Sequence, residues 1–179
     1  MTDVEADVQA AIDVIGWPDS AFYTYWHDYV SGGLPWDGEE CSEIACCISY
    51  FGGNLSKIAV SNYAAGLVDL FRAGVNGTSF GYTPLKGAFI WFTYGSGEPE
   101  HTGRVIDVSN GIITTVEGNI RNLDYVAQFT YPENSPLIYG YGYPNYDNQP
   151  VPTPPTPPTP GGNWGTYNRK RRRRHELFY

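Results

Sequence analysis

A thiol, an imidazole and a carboxylate occur in that order in this chain as Cys41, His101 and Glu117, with the amide Asn119 two residues beyond the carboxylate. Together they supply the parts of a thiolate hydrolase. A nucleophilic thiol needs a base to take its proton, and the base needs a third group to fix its tautomer. Cys41 opens the apolar run Cys-Ser-Glu-Ile-Ala-Cys-Cys-Ile-Ser-Tyr-Phe, which places it in the first turn of an expected helix. The positive end of a helix favours a thiolate there, while Asp37, Glu39 and Glu40 just before it disfavour one. Cys46 and Cys47, deeper in the same run, read as small buried hydrophobes. Of the other histidines, His27 lies in an aromatic helical segment and His175 in a basic tail, which leaves His101 as the base. The chain contains no HExxH, no CxxC and no EF-hand loop, so no metal is expected.

The remaining segments must position these groups. Thr2 with Glu5 forms a capping box ahead of Val4, Val8, Ala11, Ile12 and Ile15 at helical spacing. A second helix is expected from Ser20, burying Phe22, Trp26, Tyr29 and Val30. A third spans Cys41 to Phe51 before Gly52-Gly53, and a fourth begins after Ser61, runs through Tyr63, Leu67, Leu70 and Phe71, and ends at Gly74. From Gly87 onward short β-rich runs replace them: 88–94, 102–108, 112–117, 125–131 and 137–143. Helices first and strands later, without alternation, indicate an α+β domain whose antiparallel sheet packs on the Cys41 helix.

The turn at Ser109-Asn110-Gly111 bears on the site. A two-residue Asn-Gly loop places Glu117 opposite Arg104, on the other strand face from His101. A three-residue loop with Gly111 left-handed places Gly103 opposite Glu117 and His101 opposite Asn119, with all four on one face. Only the second assembles the site, so it is the expected register.

With 179 residues the chain suits one catalytic domain plus an appendage. Its formal net charge of −8 conceals two unlike parts. Residues 169–179 hold six Arg and Lys against one Glu, so the preceding 168 carry five basic and eighteen acidic groups, a net of −13. An acidic body argues against nucleic-acid binding. Three cysteines, two of them adjacent, do not make a disulfide framework. No signal peptide and no membrane span is read, so synthesis in reducing cytosol is expected.

Four blocks carry a resemblance: Trp36-Asp-Gly-Glu-Glu-Cys41-Ser-Glu, Pro84-Leu-Lys-Gly87-Ala-Phe-Ile-Trp-Phe92, His101-Thr-Gly-Arg-Val, and Ile113-Thr-Thr-Val-Glu117-Gly-Asn119. Their order and spacing over residues 20–146 resemble CHAP domains, the cysteine, histidine-dependent amidohydrolases/peptidases of bacterial cell-wall hydrolases and phage lysins. The resemblance implies a papain-like fold that cuts an amide of peptidoglycan. It makes Cys41 the nucleophile, His101 the base and then acid, Glu117 the orienting group and Asn119 a polar helper, with no cofactor. The chain departs from the family at Ala88, where an Asp is usual, and at Arg104, where an aliphatic is usual; in the expected register Arg104 faces away from the site. The NlpC-type endopeptidases share the fold, but place a second His where this chain has Glu117-Gly-Asn119.

Four segments follow: an N-terminal helix over 1–19, the CHAP-like domain over 20–146, a Pro/Thr/Gly-rich linker over 147–168 and a basic tail over 169–179. The linker favours extended polyproline II and reads as a spacer. The tail, Arg169, Lys170, Arg171, Arg172, Arg173 and Arg174, suits an anionic polymer or surface. Trp36, Trp91 and Tyr94, near Cys41 and His101 in sequence, are expected to line a substrate groove. Which amide is cut, that between muramic acid and L-alanine or one in the stem or cross-bridge, stays open. The expectation is a monomeric phage or prophage enzyme reaching the wall by holin-type release or as a virion component. The alternative is a structural or wall-binding phage protein with this fold and little or no catalysis.

Overall fold

The computed structural model describes residues 1–36, 40–120 and 123–147. The linker and tail beyond residue 147, together with Asp37 and Glu39, lie outside these. Among the described residues, four α-helices precede the main sheet: α1 (Asp3–Asp13), α2 (Phe22–Tyr25), α3 (Glu40–Phe51) and α4 (Ala64–Arg72). Six strands follow: β1 (Ser79–Gly81), β2 (Phe89–Phe92), β3 (His101–Ser109), β4 (Ile112–Glu117), β5 (Ala127–Pro132) and β6 (Ile138–Tyr143). They form one antiparallel sheet in the order β1-β6-β2-β3-β4-β5. The fold is α+β, with the helices gathered before the sheet.

Helix α1 starts with the expected capping box: the Glu5 N–H donates to Thr2 Oγ1 at 3.3 Å, and the Thr2 N–H donates to Glu5 Oε2 at 3.0 Å. The second helical segment is less regular than its sequence suggests. It begins as a 3-10 turn over Asp19–Ala21 and ends as a π-type turn over Trp26–Val30. Phe22, Trp26 and Val30 stay buried at a spacing of four. Tyr29, expected inside, is 57% exposed and stacks on Tyr50 of α3 at 5.4 Å, because the widened turn carries its position outward. Helix α4 begins at Ala64, two residues later than a start just after Ser61 implies, so Tyr63 remains exposed while Leu67 and Phe71 are buried.

The helix face of the sheet packs Phe89, Trp91, Ile106 and Val116 against Ile44, Ile48, Leu67 and Phe71. The other face carries a second apolar cluster: Ile90, Phe92, Val105, Ile113, Tyr141 and Tyr143. Helix α3 therefore lies against β3 and β4, as the sequence suggests.

The β3–β4 hairpin corrects one expectation and keeps its consequence. The turn is the two-residue one: Ser109 pairs Ile112, with Asn110 and Gly111 both left-handed at φ 53° and 76°. That is the Asn-Gly geometry matching strand twist. Ile106 is then an extra residue on β3, a bulge between Val105 and Asp107, beyond which Val105 pairs Thr115 and Arg104 pairs Val116. The bulge, not a longer turn, supplies the one-residue shift that brings Glu117 to the His101 face.

Candidate active site

His101 is the first residue of β3 and is 4% exposed; its ring stacks on Phe92 at 5.8 Å. Glu117, the last residue of β4, is 1% exposed, and its Oε2 lies 2.8 Å from His101 Nε2. Gly103 makes this contact feasible. A Cβ there would overlap Glu117 Cγ, so only a bare residue lets the glutamate lie across β3 to reach the imidazole two residues away. The glycine of the His-Thr-Gly block thus has a steric reason.

Cys41 stands in the first turn of α3, 4% exposed, and forms a side-chain hydrogen bond with His101. With Nε2 held by Glu117, Nδ1 is the nitrogen left for the thiol proton. Burial pulls the His101 pKa down, but hydrogen bonds to Cys41 and Glu117 outweigh it and hold the imidazole up at about 9. The imidazolium is thus stabilised by its two hydrogen-bonding neighbours. The other thiols are silent by contrast: burial pushes Cys46 up to about 12, and Cys47 also upward.

Two residues that sequence reasoning missed support Glu117. The Thr115 hydroxyl donates to Oε1, and the Tyr131 hydroxyl also donates to the carboxylate. Burial, followed by the carboxylate's charge, pushes the Tyr131 phenol upward, so it stays a proton donor. Thr115 precedes Glu117 by two on the same strand face, a readable signal. Tyr131 comes from β5, whose register no motif announces.

Asn119 lies beyond the last residue of β4 with φ 55°, outside the strand alternation from which its place opposite His101 is expected. Its backbone N–H donates to Asp19 Oδ2 at 2.9 Å, which anchors the end of β4 to the turn before α2. Asp19 is itself 5% exposed, and burial with nearby Asp124 raises its pKa, opposed by the Asn119 N–H and by His101. Glu40, next to Cys41, is also raised, by burial and by Asp19, while the Trp36 side chain hydrogen-bonds to its carboxyl. Of the acids expected before the thiol, Glu40 is therefore in place, joined by Asp19, while Asp37 and Glu39 lie outside the described residues.

The three aromatic residues expected in a groove separate. Tyr94 is 57% exposed with its ring 6.3 Å from His101, and half-buried Trp36 meets Tyr23 edge-on at 5.8 Å beside Glu40. Trp91 is fully buried among Phe71, Phe80 and Phe89, because it pairs Thr102 and so faces the helices, away from His101. Trp91 cannot line a groove. A Trp91→Ala variant should lose about 3 kcal/mol of stability in thermal or denaturant unfolding. Tyr94→Ala should leave the melting temperature unchanged and raise KM by roughly 2- to 10-fold, the range of one aromatic contact.

No group of three or more His, Cys, Asp or Glu residues among those described is arranged to hold a metal ion, and no described helix is long and apolar enough to cross a membrane. No family model matches the chain, and no curated protein matches it. Solved structures do. The crystal structure of Ly7917 aligns with a TM-score of 0.51 at 18% identity, over 79% of this chain and 62% of that one. The crystal structure of Ly7917 with the hydrolyzing product of MDP aligns with a TM-score of 0.53 at 18% identity, over 79% and 63%. The likeness is one of fold, and this chain spans less than two thirds of the Ly7917 chain.

Proposed function

We propose that this protein is a cysteine-dependent hydrolase of a peptidoglycan amide, of CHAP type and papain-like architecture. The observation that carries the reading is the contiguous Cys41–His101–Glu117 arrangement, with the thiol at a helix start and Glu117 held by Thr115 and Tyr131. The fold shared with a protein crystallised with the hydrolyzing product of MDP lends support for a wall-derived substrate.

The chemistry follows from the residue types. The Cys41 thiolate attacks the amide carbonyl carbon, forming a C–S bond while the carbonyl π pair moves to oxygen. Backbone N–H groups at the start of α3, which no intrahelical carbonyl takes up, stabilise that oxyanion. As the tetrahedral centre collapses, the C–N bond breaks and His101 protonates the departing amine, leaving a thioester. His101 then takes a proton from water, the hydroxide attacks the thioester, and carboxylate and thiolate separate. Glu117 holds the imidazole in one tautomer and stabilises the imidazolium throughout.

Purified peptidoglycan from several Gram-positive walls, incubated with the protein and analysed by turbidity and fragment mass spectrometry, tests the reading. New amine and carboxyl termini are expected, and their identity separates muramoyl-alanine cleavage from stem or cross-bridge cleavage. Intact walls throughout, with Cys41 inert to thiol reagents, would instead favour a wall-binding or structural module.

A further inference from the structure

Arg104 stands where the resemblance to CHAP domains implies an aliphatic residue, and it is 1% exposed. Its Nη1 donates to Ser49 Oγ at 2.5 Å and to the Ala45 carbonyl at 3.3 Å, both on α3. Its Nη2 donates to Asp7 Oδ2 of α1 at 2.7 Å, to the Gly87 carbonyl at 3.0 Å and to the Tyr146 hydroxyl oxygen at 2.6 Å. The guanidinium also lies 4.2 Å over the Phe89 ring. Ser49 donates in turn to Asp7 Oδ2, and Asn54 donates to Asp7 Oδ1, each at 2.7 Å. One buried cation therefore binds the N-terminal helix, the Cys41 helix, the His101 strand and the last described segment of the chain.

A buried ion pair is a poor source of net stability compared with apolar packing, because desolvation offsets its attraction; its best-attested use is to fix register. The location gives that use a target. Ala45 is one turn beyond Cys41 on α3, and Arg104 is three residues beyond His101 on β3. Apolar contact between a helix and a sheet is non-directional and permits sliding along the helix axis. Bonds from one planar guanidinium to two points on α3 do not.

We propose that Arg104 is a positioning residue: it sets α3 axially against β3 so that the Cys41 thiol meets His101, and through Asp7 it makes α1 part of the reacting unit. The proposal rests on the hydrolase reading for its purpose, and on the network's geometry for its mechanism. Arg104→Lys would not preserve the role, since a point-like ammonium cannot reach these acceptors in one plane.

The test uses the full chain and measures Cys41 alkylation by iodoacetamide at pH 7, together with kcat and KM on wall fragments. The Asp7→Leu/Arg104→Met double variant removes both charges and keeps much of the volume. It should stay folded by circular dichroism yet lose at least about 10-fold in Cys41 alkylation and about 100-fold in kcat, with KM little changed, since a displacement of about 1 Å carries that penalty. Ser49→Ala, a milder change that removes one bond to α3, should slow alkylation about 3-fold, and it decides the matter where the double variant does not fold. A reactive wild-type Cys41 with unchanged rates in the folded variants would overturn the positioning role alone. An unreactive wild-type Cys41 would overturn the hydrolase reading and this role with it.

Discussion

Cys41→Ala should abolish wall hydrolysis, with a loss of ~10⁴-fold or more in kcat, since deleting the nucleophile of a triad leaves only binding and oxyanion stabilisation. The fold should survive, because Ala occupies nearly the volume of a small hydrophobe at a helical position. A second readout separates this loss from trivial damage. Burial acts downward on His101, and the hydrogen bond to Cys41 leads the influences that nonetheless hold it up at about 9. Removing the sulfur must therefore lower the His101 pKa, which imidazole NMR titration reads directly. The linkage sign follows: a raised histidine pKa contributes stability that is full below the unfolded value of about 6.5 and is lost as pH rises through about 9. The variant's stability should thus depend less on pH across that interval. An unshifted His101 titration in Cys41→Ala would show that the two side chains do not interact in solution.

Much of this site is readable from sequence, and the parts that are not share a cause. Helical spacing locates α1, α3 and α4, and glycine punctuation locates the ends of α3 and α4, because both depend on residues close in sequence. The expected hairpin register holds at Glu117 although its cause differs. The demand that His101 and Glu117 share a face fixes the shift, while the bulge at Ile106 carries no sequence signature. Trp91 misleads because Ala88 to Phe92 is apolar on both sheet faces, so alternation gives no sign of which residues face the helices. Arg104 does face away from the site as expected, but its partner Asp7 lies 97 residues away. One clue is present: Asp7 sits three residues after Val4 and four before Ala11, a carboxylate within the apolar stripe of α1. A charge on such a stripe implies a buried counter-charge without saying where it is.

Glu117→Gln should lower kcat/KM by ~10⁴-fold, the loss known for exchanging the orienting carboxylate of a triad for an amide. The reason lies in the count of donors. The wild-type carboxylate accepts from Thr115, Tyr131 and the His101 ring, roles that suit a group with two acceptor oxygens and no hydrogen. A glutamine amide turns an NH2 toward at least one of those donors, which costs about 1–3 kcal/mol of stability in a buried site, and it no longer opposes the imidazolium charge. The stability loss alone would leave the pH dependence of the surviving activity in place. The electrostatic loss does not: the influences that raise His101 include both its hydrogen bond to Glu117 and the charge of Glu117. Activity needs the imidazolium to protonate the leaving amine, so the alkaline limb, near pH 9 in the wild type, should move to lower pH in the variant. Profiles of hydrolysis and of Cys41 alkylation from about pH 5 to 10 measure that shift. An alkaline limb at the wild-type position would mean that Glu117 braces the ring sterically and contributes nothing through its charge.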